Sequence, residues 1–253
     1  MMSSLSAVII TLNEEQNIEP CLKSLAWTDE IVVLDSGSTD RTVDICRRFG
    51  AEVHSQTWLG YAAQKNAAVA LARGDWILSL DADERVTPGL AEEIRKVTAV
   101  PEDRIAGYQV RRRVFFGSKW IRHGGFYPEW QVRLFRRGRG RFGDRAVHES
   151  LEVDGPVGRL DQDLEHYTYR GVSDFLSRMQ RYSTLSAEEY ARQSRTTGPV
   201  RMTGRALFTF LQMYFLRRGF LDGYEGFLLA VLYSFYTFAK YAKLRELIRE
   251  GRD

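Results

Sequence analysis

Asp81 and Asp83 stand one residue apart, directly after the apolar run Ile77-Leu78-Ser79-Leu80. Such a run reads as a buried strand, which places both carboxylates at its carboxyl end, the edge where open α/β sheets bind ligands. Two close carboxylates pointing the same way suit a divalent cation that carries phosphates. Alone, the Asp-x-Asp pattern also fits an ordinary strand exit capped by acids. Two further strand ends strengthen it. The first apolar run ends in Thr11-Leu12-Asn13-Glu14-Glu15, and the second in Asp35-Ser36-Gly37-Ser38-Thr39-Asp40. Three strand ends thus carry polar groups toward one crevice. No Gly-x-Gly-x-x-Gly follows the first strand, so a dinucleotide fold is not expected.

The elements that position these groups are legible as alternating patterns. Ala7–Leu12, Ile31–Leu34, Ala51–His54 and Trp76–Leu80 read as strands. Between and after them, Ile18–Ala26, Val43–Phe49, Ala62–Ala72 and Pro88–Val97 read as helices, with Ser38-Thr39-Asp40 as a helix start. This alternation predicts a mostly parallel sheet flanked by helices. After Pro101 the pattern changes. Gly107–Phe116 and Gln131–Phe135 read as strands rich in arginine, joined by a Gly- and aromatic-rich stretch. From Ser173 onward the pattern is helical. The expected division is a catalytic domain over 1–170 and a helical extension over 171–253.

The 253 residues suffice for one substantial domain with an appendage. A net charge of +3, from 36 basic and 33 acidic residues, does not call for nucleic acid. Cys21 and Cys46 have neither metal-ligand spacing nor the number for a disulfide framework, which points to a reducing, cytoplasmic setting. Met1–Ser6 lacks the basic and apolar segments of a signal peptide. Ala206–Leu216 and Phe227–Ala239 are apolar, aromatic and flanked by Arg205, Arg217, Arg218, Lys240 and Lys243. Neither run reaches the ~20 residues that span a bilayer. They suit helices lying at a membrane surface or packed in a homo-oligomer.

Taken in order, Thr11-Leu12-Asn13-Glu14-Glu15, Asp35-Ser36-Gly37-Ser38-Thr39-Asp40, Gln64-Lys65-Asn66 and Asp81-Ala82-Asp83 closely resemble the family 2 glycosyltransferases of GT-A fold. Trp130–Arg137, Val147-His148-Glu149 and the aromatic C-terminal helices resemble, more narrowly, bacterial lipopolysaccharide core heptose β-1,4-glucosyltransferases. The resemblance implies that Thr11, Asn13, Glu14, Asp35, Gln64, Lys65, Asp81 and Ala82 line a UDP-sugar pocket. It implies that Asp83 and Asp81 hold Mg²⁺ or Mn²⁺ on the diphosphate. His166 is a candidate third ligand, or else a hydrogen-bonded, partly buried histidine.

Inversion at the sugar needs one general base on the acceptor hydroxyl. The resemblance puts it beyond the basic strand. Glu149 is the first candidate and Glu129 the runner-up. Arg133 and Arg136, with the surrounding arginines, form either a solvated face or a site for acceptor phosphates or anionic lipid headgroups. The resemblance thus implies metal-assisted transfer of a hexose, glucose being the expected one. The expected acceptor is a lipid-linked inner-core heptose at the inner face of the cytoplasmic membrane. The alternatives are a polyprenyl-phosphate or other glycan acceptor, and a non-catalytic module that binds UDP-sugar or lipid.

Overall fold

The computed structural model describes residues 3–100, 104–143 and 150–250. The chain forms two compact units, one of residues 1–112 with 129–166, the other of 113–128 with 167–253.

The first unit starts with the predicted alternation. Strands β1 (Leu5–Thr11), β2 (Glu30–Asp35), β3 (Glu52–Ser55) and β4 (Trp76–Asp81) are interleaved with helices α1 (Ile18–Lys23), α2 (Thr42–Arg48) and α3 (Tyr61–Leu71). The pairs β1–β2, β2–β3 and β1–β4 are parallel. Alternate residues serve opposite faces. Ala7, Ile9, Val33, Trp76, Leu78 and Leu80 enter one core cluster, while Val8, Val32, Leu34 and Ile77 enter the other. A strand buried on both faces reads as a continuous apolar run, which is why these strands were visible in the sequence.

Beyond β4 the sheet turns antiparallel. Ala82 and Asp83 make a turn into the short β5 (Glu84–Val86), followed by α4 (Pro88–Thr98), whose first turn is capped by Thr87. Then come β6 (Gly107–Phe116), β7 (Lys119–Trp120), β8 (Glu129–Arg136), β9 (Gly140–Phe142), β10 (Leu151–Val153) and β11 (Val157–Tyr169). The sheet order is β3-β2-β1-β4-β8-β6-β11-β5, with β7 on β6, and β9 pairs with β10 apart from it. Only two residues separate β4 from β5 in the chain, yet three strands lie between them in the sheet. Two residues reach at most ~7 Å beyond the strand ends. The stretch from β4 to β5 must therefore curl back on itself.

The second unit holds helices α5 (Val172–Arg192), α6 (Pro199–Leu211) and α7 (Gly223–Glu250). A π-helical turn over Gln212–Leu216 and a 3-10 turn over Gly219–Asp222 join α6 to α7. Phe116, Ile121, Phe175, Met179, Leu229 and Leu232 form its core. Residues 113–128 belong to this unit by contact, although they lie far from its helices in sequence. Among the described residues, no helix is long and apolar enough to cross a membrane.

Candidate functional site

The register sets the site at one sheet edge. Thr11 pairs with Asp35, and Ile10 with Asp81, so the ends of β1, β2 and β4 are level. At β2, Asp35 is buried and closes the loop that follows it. Its Oδ1 accepts from Thr11 Oγ1 at 3.0 Å and from Ser38 Oγ, and its Oδ2 accepts from the amides of Gly37 and Ser38. Gly37 has φ +95°, a conformation that disfavours any side chain. At the end of β1, Asn13 is exposed at φ +56° and bonds directly to that loop, its Oδ1 accepting from the Thr39 amide at 2.8 Å. The Glu14 amide donates to Thr42 Oγ1, and Glu14 Oε2 accepts from Asn17 Nδ2. The sequence expected Asp35 and Glu14 to face a nucleotide. The structure shows them hydrogen-bonded within the loops that follow β1 and β2.

Gln64 and Lys65, on α3, are both buried. Gln64 Nε2 donates to Ser36 Oγ at 3.1 Å, while its Oε1 is buried with no hydrogen-bond partner. Lys65 Nζ lies 2.8 Å from Asp81 Oδ1 and over the Phe142 ring.

Asp81 does not stand open as expected. Its Oδ1 meets Lys65 and its Oδ2 meets Arg133 at 2.7 Å, while the side chain keeps 30% exposure. Burial alone would raise its pKa. The charges of Arg133 and Lys65 outweigh that and hold the carboxyl well below the usual carboxylate range. With a cation on each oxygen, Asp81 is poorly placed to be a metal ligand.

Arg133 is likewise corrected. It was expected at acceptor phosphates, but it is buried between Asp81 and Glu84, 2.5 Å from Glu84 Oε1. Glu84 is fully buried and also binds Arg112 at 3.2 Å, and Arg112 reaches Glu129. Lys65, Asp81, Arg133, Glu84, Arg112 and Glu129 thus form a chain of alternating charge that knits α3, β4, β8, β5 and β6 together. Burial would lower the pKa of Arg112 and Arg133, but their carboxylate partners raise both. Arg136 is corrected too. It pairs with Trp76 at the opposite end of β4, its guanidinium 4.5 Å from that ring centroid. At ~3.3 Å per residue that is about 16 Å from Asp81.

Glu84 and Arg112 were missed in the sequence. Arg112 had a usable signal: it shares strand parity with the buried Val110 and Val114, whereas Arg111 and Arg113 alternate with it. Arg111 instead meets Asp163 at 2.8 Å. Glu84 had no signal, because β5 is three residues long.

Asp83 sits in the turn between β4 and β5. β5 pairs antiparallel with β11 so that Glu84 faces His166, which brings His166 Nε2 to 3.4 Å from Asp83 Oδ1. Both side chains are largely shielded, at 12% and 11% exposure, and His166 Nδ1 is buried without a hydrogen-bond partner. Among the described residues, no three His, Cys, Asp or Glu side chains gather as a metal cage. Mg²⁺ or a similar ion can be held by one or two carboxylates with phosphates and water completing its shell, and Asp83 is the carboxylate here that could serve. Adjacent ligand atoms around such an ion lie ~3.0 Å apart, close to the Asp83–His166 spacing. Glu129 is described, with 37% side-chain exposure. Glu149 lies outside the described residues.

The family model "Glycosyl transferase family 2" matches residues 6–151, more than half of the chain. The chain belongs to the family 2 glycosyltransferases. This glycosyltransferase is 32% identical to an uncharacterized glycosyltransferase of Rickettsia typhi, over 100% of this chain and 90% of that protein. It is 31% identical to the lipopolysaccharide core biosynthesis glycosyltransferase LpsC of Rhizobium meliloti, over 95% of this chain and 91% of LpsC. Among solved structures, S. aureus TarS 1-349 in complex with UDP-GlcNAc aligns at a TM-score of 0.51 and 16% identity, covering 98% of this chain and 92% of that one. At that identity the likeness speaks for the fold, which is GT-A.

Proposed function

We propose that this glycosyltransferase moves a hexose, glucose, from a UDP-sugar to an inner-core heptose of a lipid-linked lipopolysaccharide precursor, with inversion. The observation that carries the reading is the Asp83–His166 pair at the sheet edge, flanked by the anchored Asp81. The acceptor class draws on the similarity to LpsC, a lipopolysaccharide core enzyme spanning nearly the same length.

Asp83 and His166 would hold Mg²⁺ or Mn²⁺. A cation there supplies positive charge to a diphosphate leaving group. Lys65 and Arg133 fix Asp81, and through the turn after it they fix Asp83. The Asp35 and Asn13 loops shape the space for the nucleotide, with Thr11 and Gln64 beneath them and the buried Ala82 within the Asp81–Asp83 turn. The acceptor hydroxyl gives its proton to a carboxylate as its oxygen attacks the anomeric carbon. Glu149 is assigned that role. Glu129, held by Arg112 through one oxygen, is the second candidate.

Calorimetric titration with UDP, with and without Mn²⁺, tests the donor site. Turnover with a panel of UDP-sugars and a purified heptose-containing core acceptor tests the substrates. Metal-independent UDP binding, or transfer to polyprenyl phosphate in preference to core acceptor, would overturn the corresponding part.

A further inference from the structure

The α6–α7 hairpin exposes an apolar surface, parts of which are tied together by ring contacts of Phe210 and Tyr214 with Phe215, Phe220 and Phe227. On α7, Tyr224, Phe227, Val231, Phe235 and Phe238 recur at intervals of three and four, so they form one stripe. At 1.5 Å per residue it runs about 21 Å. At the connecting turns Leu216 is 71% exposed and Leu221 55%, with Phe215 and Phe220 beside them. Leu207, Phe208 and Leu211 are exposed on α6. Clusters of exposed apolar side chains of this kind commonly mark sites of protein or membrane contact.

The charges around it indicate the partner. From Pro199 to Leu221 the chain contains Arg201, Arg205, Arg217 and Arg218 and no acidic residue, and all four arginines are exposed. Asp222, next in line, is buried and turned inward. It accepts hydrogen bonds from the Arg122 and His123 amides and from His123 Nδ1. A second copy laid on the same patch would bring the four arginines of each copy together against only the half-buried Glu225 of each, a net like-charge approach that is costly. An anionic surface would match them.

The turns are also preformed. The Gly124 amide donates to the Arg217 carbonyl, and Gly226 lets α7 start hard against the 3-10 turn, where a Cβ would meet the Gly219 carbonyl. Little ordering is left to be done on docking.

We propose that this hairpin face is a docking surface for an anionic lipid bilayer. Leu216, Phe220 and Leu221 enter the headgroup–acyl boundary, and Arg217 and Arg218 contact lipid phosphates. This deepens the lipid-linked acceptor reading, and rests on it for its purpose, since it would hold the enzyme at the surface that carries the acceptor.

The test is co-sedimentation of the full chain with phosphatidylglycerol–phosphatidylcholine vesicles and with phosphatidylcholine vesicles, without donor or acceptor. Binding is expected to the anionic vesicles and to weaken as salt rises. Arg217→Gln and Arg218→Gln should each weaken it about fivefold. Leu216→Glu with Leu221→Glu should abolish it. These positions are exposed, so an unchanged thermal unfolding midpoint and unchanged UDP titration show that the fold and donor site survive. Equal binding to both vesicles, binding unaffected by the Leu→Glu changes, or a concentration-dependent dimer dispersed by them overturns the proposal. Vesicle binding without transfer to core acceptor would instead fault the acceptor reading alone.

Discussion

Glu84 and His166 face each other across the antiparallel β5–β11 pair, and this register brings His166 Nε2 to 3.4 Å from Asp83 Oδ1. Asp83 and His166 are 83 positions apart in a chain whose Asp-x-Asp motif carries no mark of the histidine. The motif is therefore divided. Its first carboxylate is held by protein cations, and its second faces an imidazole.

That division can be read in metal dependence. Asp83→Asn and His166→Ala should each remove most of the Mn²⁺ enhancement of UDP binding, with metal-free UDP binding little changed. Calorimetry in paired titrations is the measurement. Full Mn²⁺ enhancement in the Asp83 variant would displace the site from this turn.

Glu84 is predicted to be a stability residue. It is fully buried between two arginines. Glu84→Gln leaves Arg133 and Arg112 each short of a buried countercharge, a change that typically costs about 3–5 kcal/mol. Urea unfolding should show it as a lower midpoint with an unchanged slope. A shift within experimental error would mean that Asp81 and Glu129 suffice to compensate the arginines.

Asp81 gives a pH signature. Its folded pKa is depressed, so its ionised form stabilises the fold at and above the unfolded value of about 3.9. That contribution is lost as pH falls through the folded pKa, well below. The stability gap between the native chain and Asp81→Asn should be flat from about pH 5.5 to 8 and shrink in acid. A gap that keeps growing toward low pH would contradict the assignment.

The two cysteines should be inert. Burial, with the nearby Asp35 charge, pushes the Cys46 thiol up to about 12, and burial with Glu84, Asp83 and Asp81 holds the Cys21 thiol well above its usual range. Neither thiol should react with maleimide at pH 8 in the folded chain, and both should react in urea. Rapid native-state labelling of Cys21, whose Sγ lies 3.9 Å from the Asp81 carbonyl, would show that the turn beneath the site opens readily.

Glu149→Gln should preserve donor binding and lose transfer by about a hundredfold or more, as expected when a general base is removed. Glu129→Gln should lose less, chiefly through Arg112. Full turnover with Glu149→Gln and none with Glu129→Gln would transfer the role to Glu129.

Much of the first half of the fold was written in the sequence, because parallel strands buried on both faces leave continuous apolar runs. Ala7–Ile10, Ile31–Leu34 and Trp76–Leu80 could hardly be anything else, and the polar residues that end them necessarily share an edge. The family followed from those same strand ends. The tertiary structure decided what the later strands contribute. β5 is too short to carry a pattern, and β11 is long but mixed in polarity, so neither the Glu84–His166 register nor the curl from β4 to β5 was visible. The arginines show the same limit. Their number suggested an anionic ligand, but charge alone does not tell a buried arginine from a solvated one. Arg133 lies inside because Asp81 and Glu84 converge on it, and Arg136 lies at the far edge because β8 runs antiparallel to β4. Pairing between segments far apart in the chain settles both, and composition and period do not encode it.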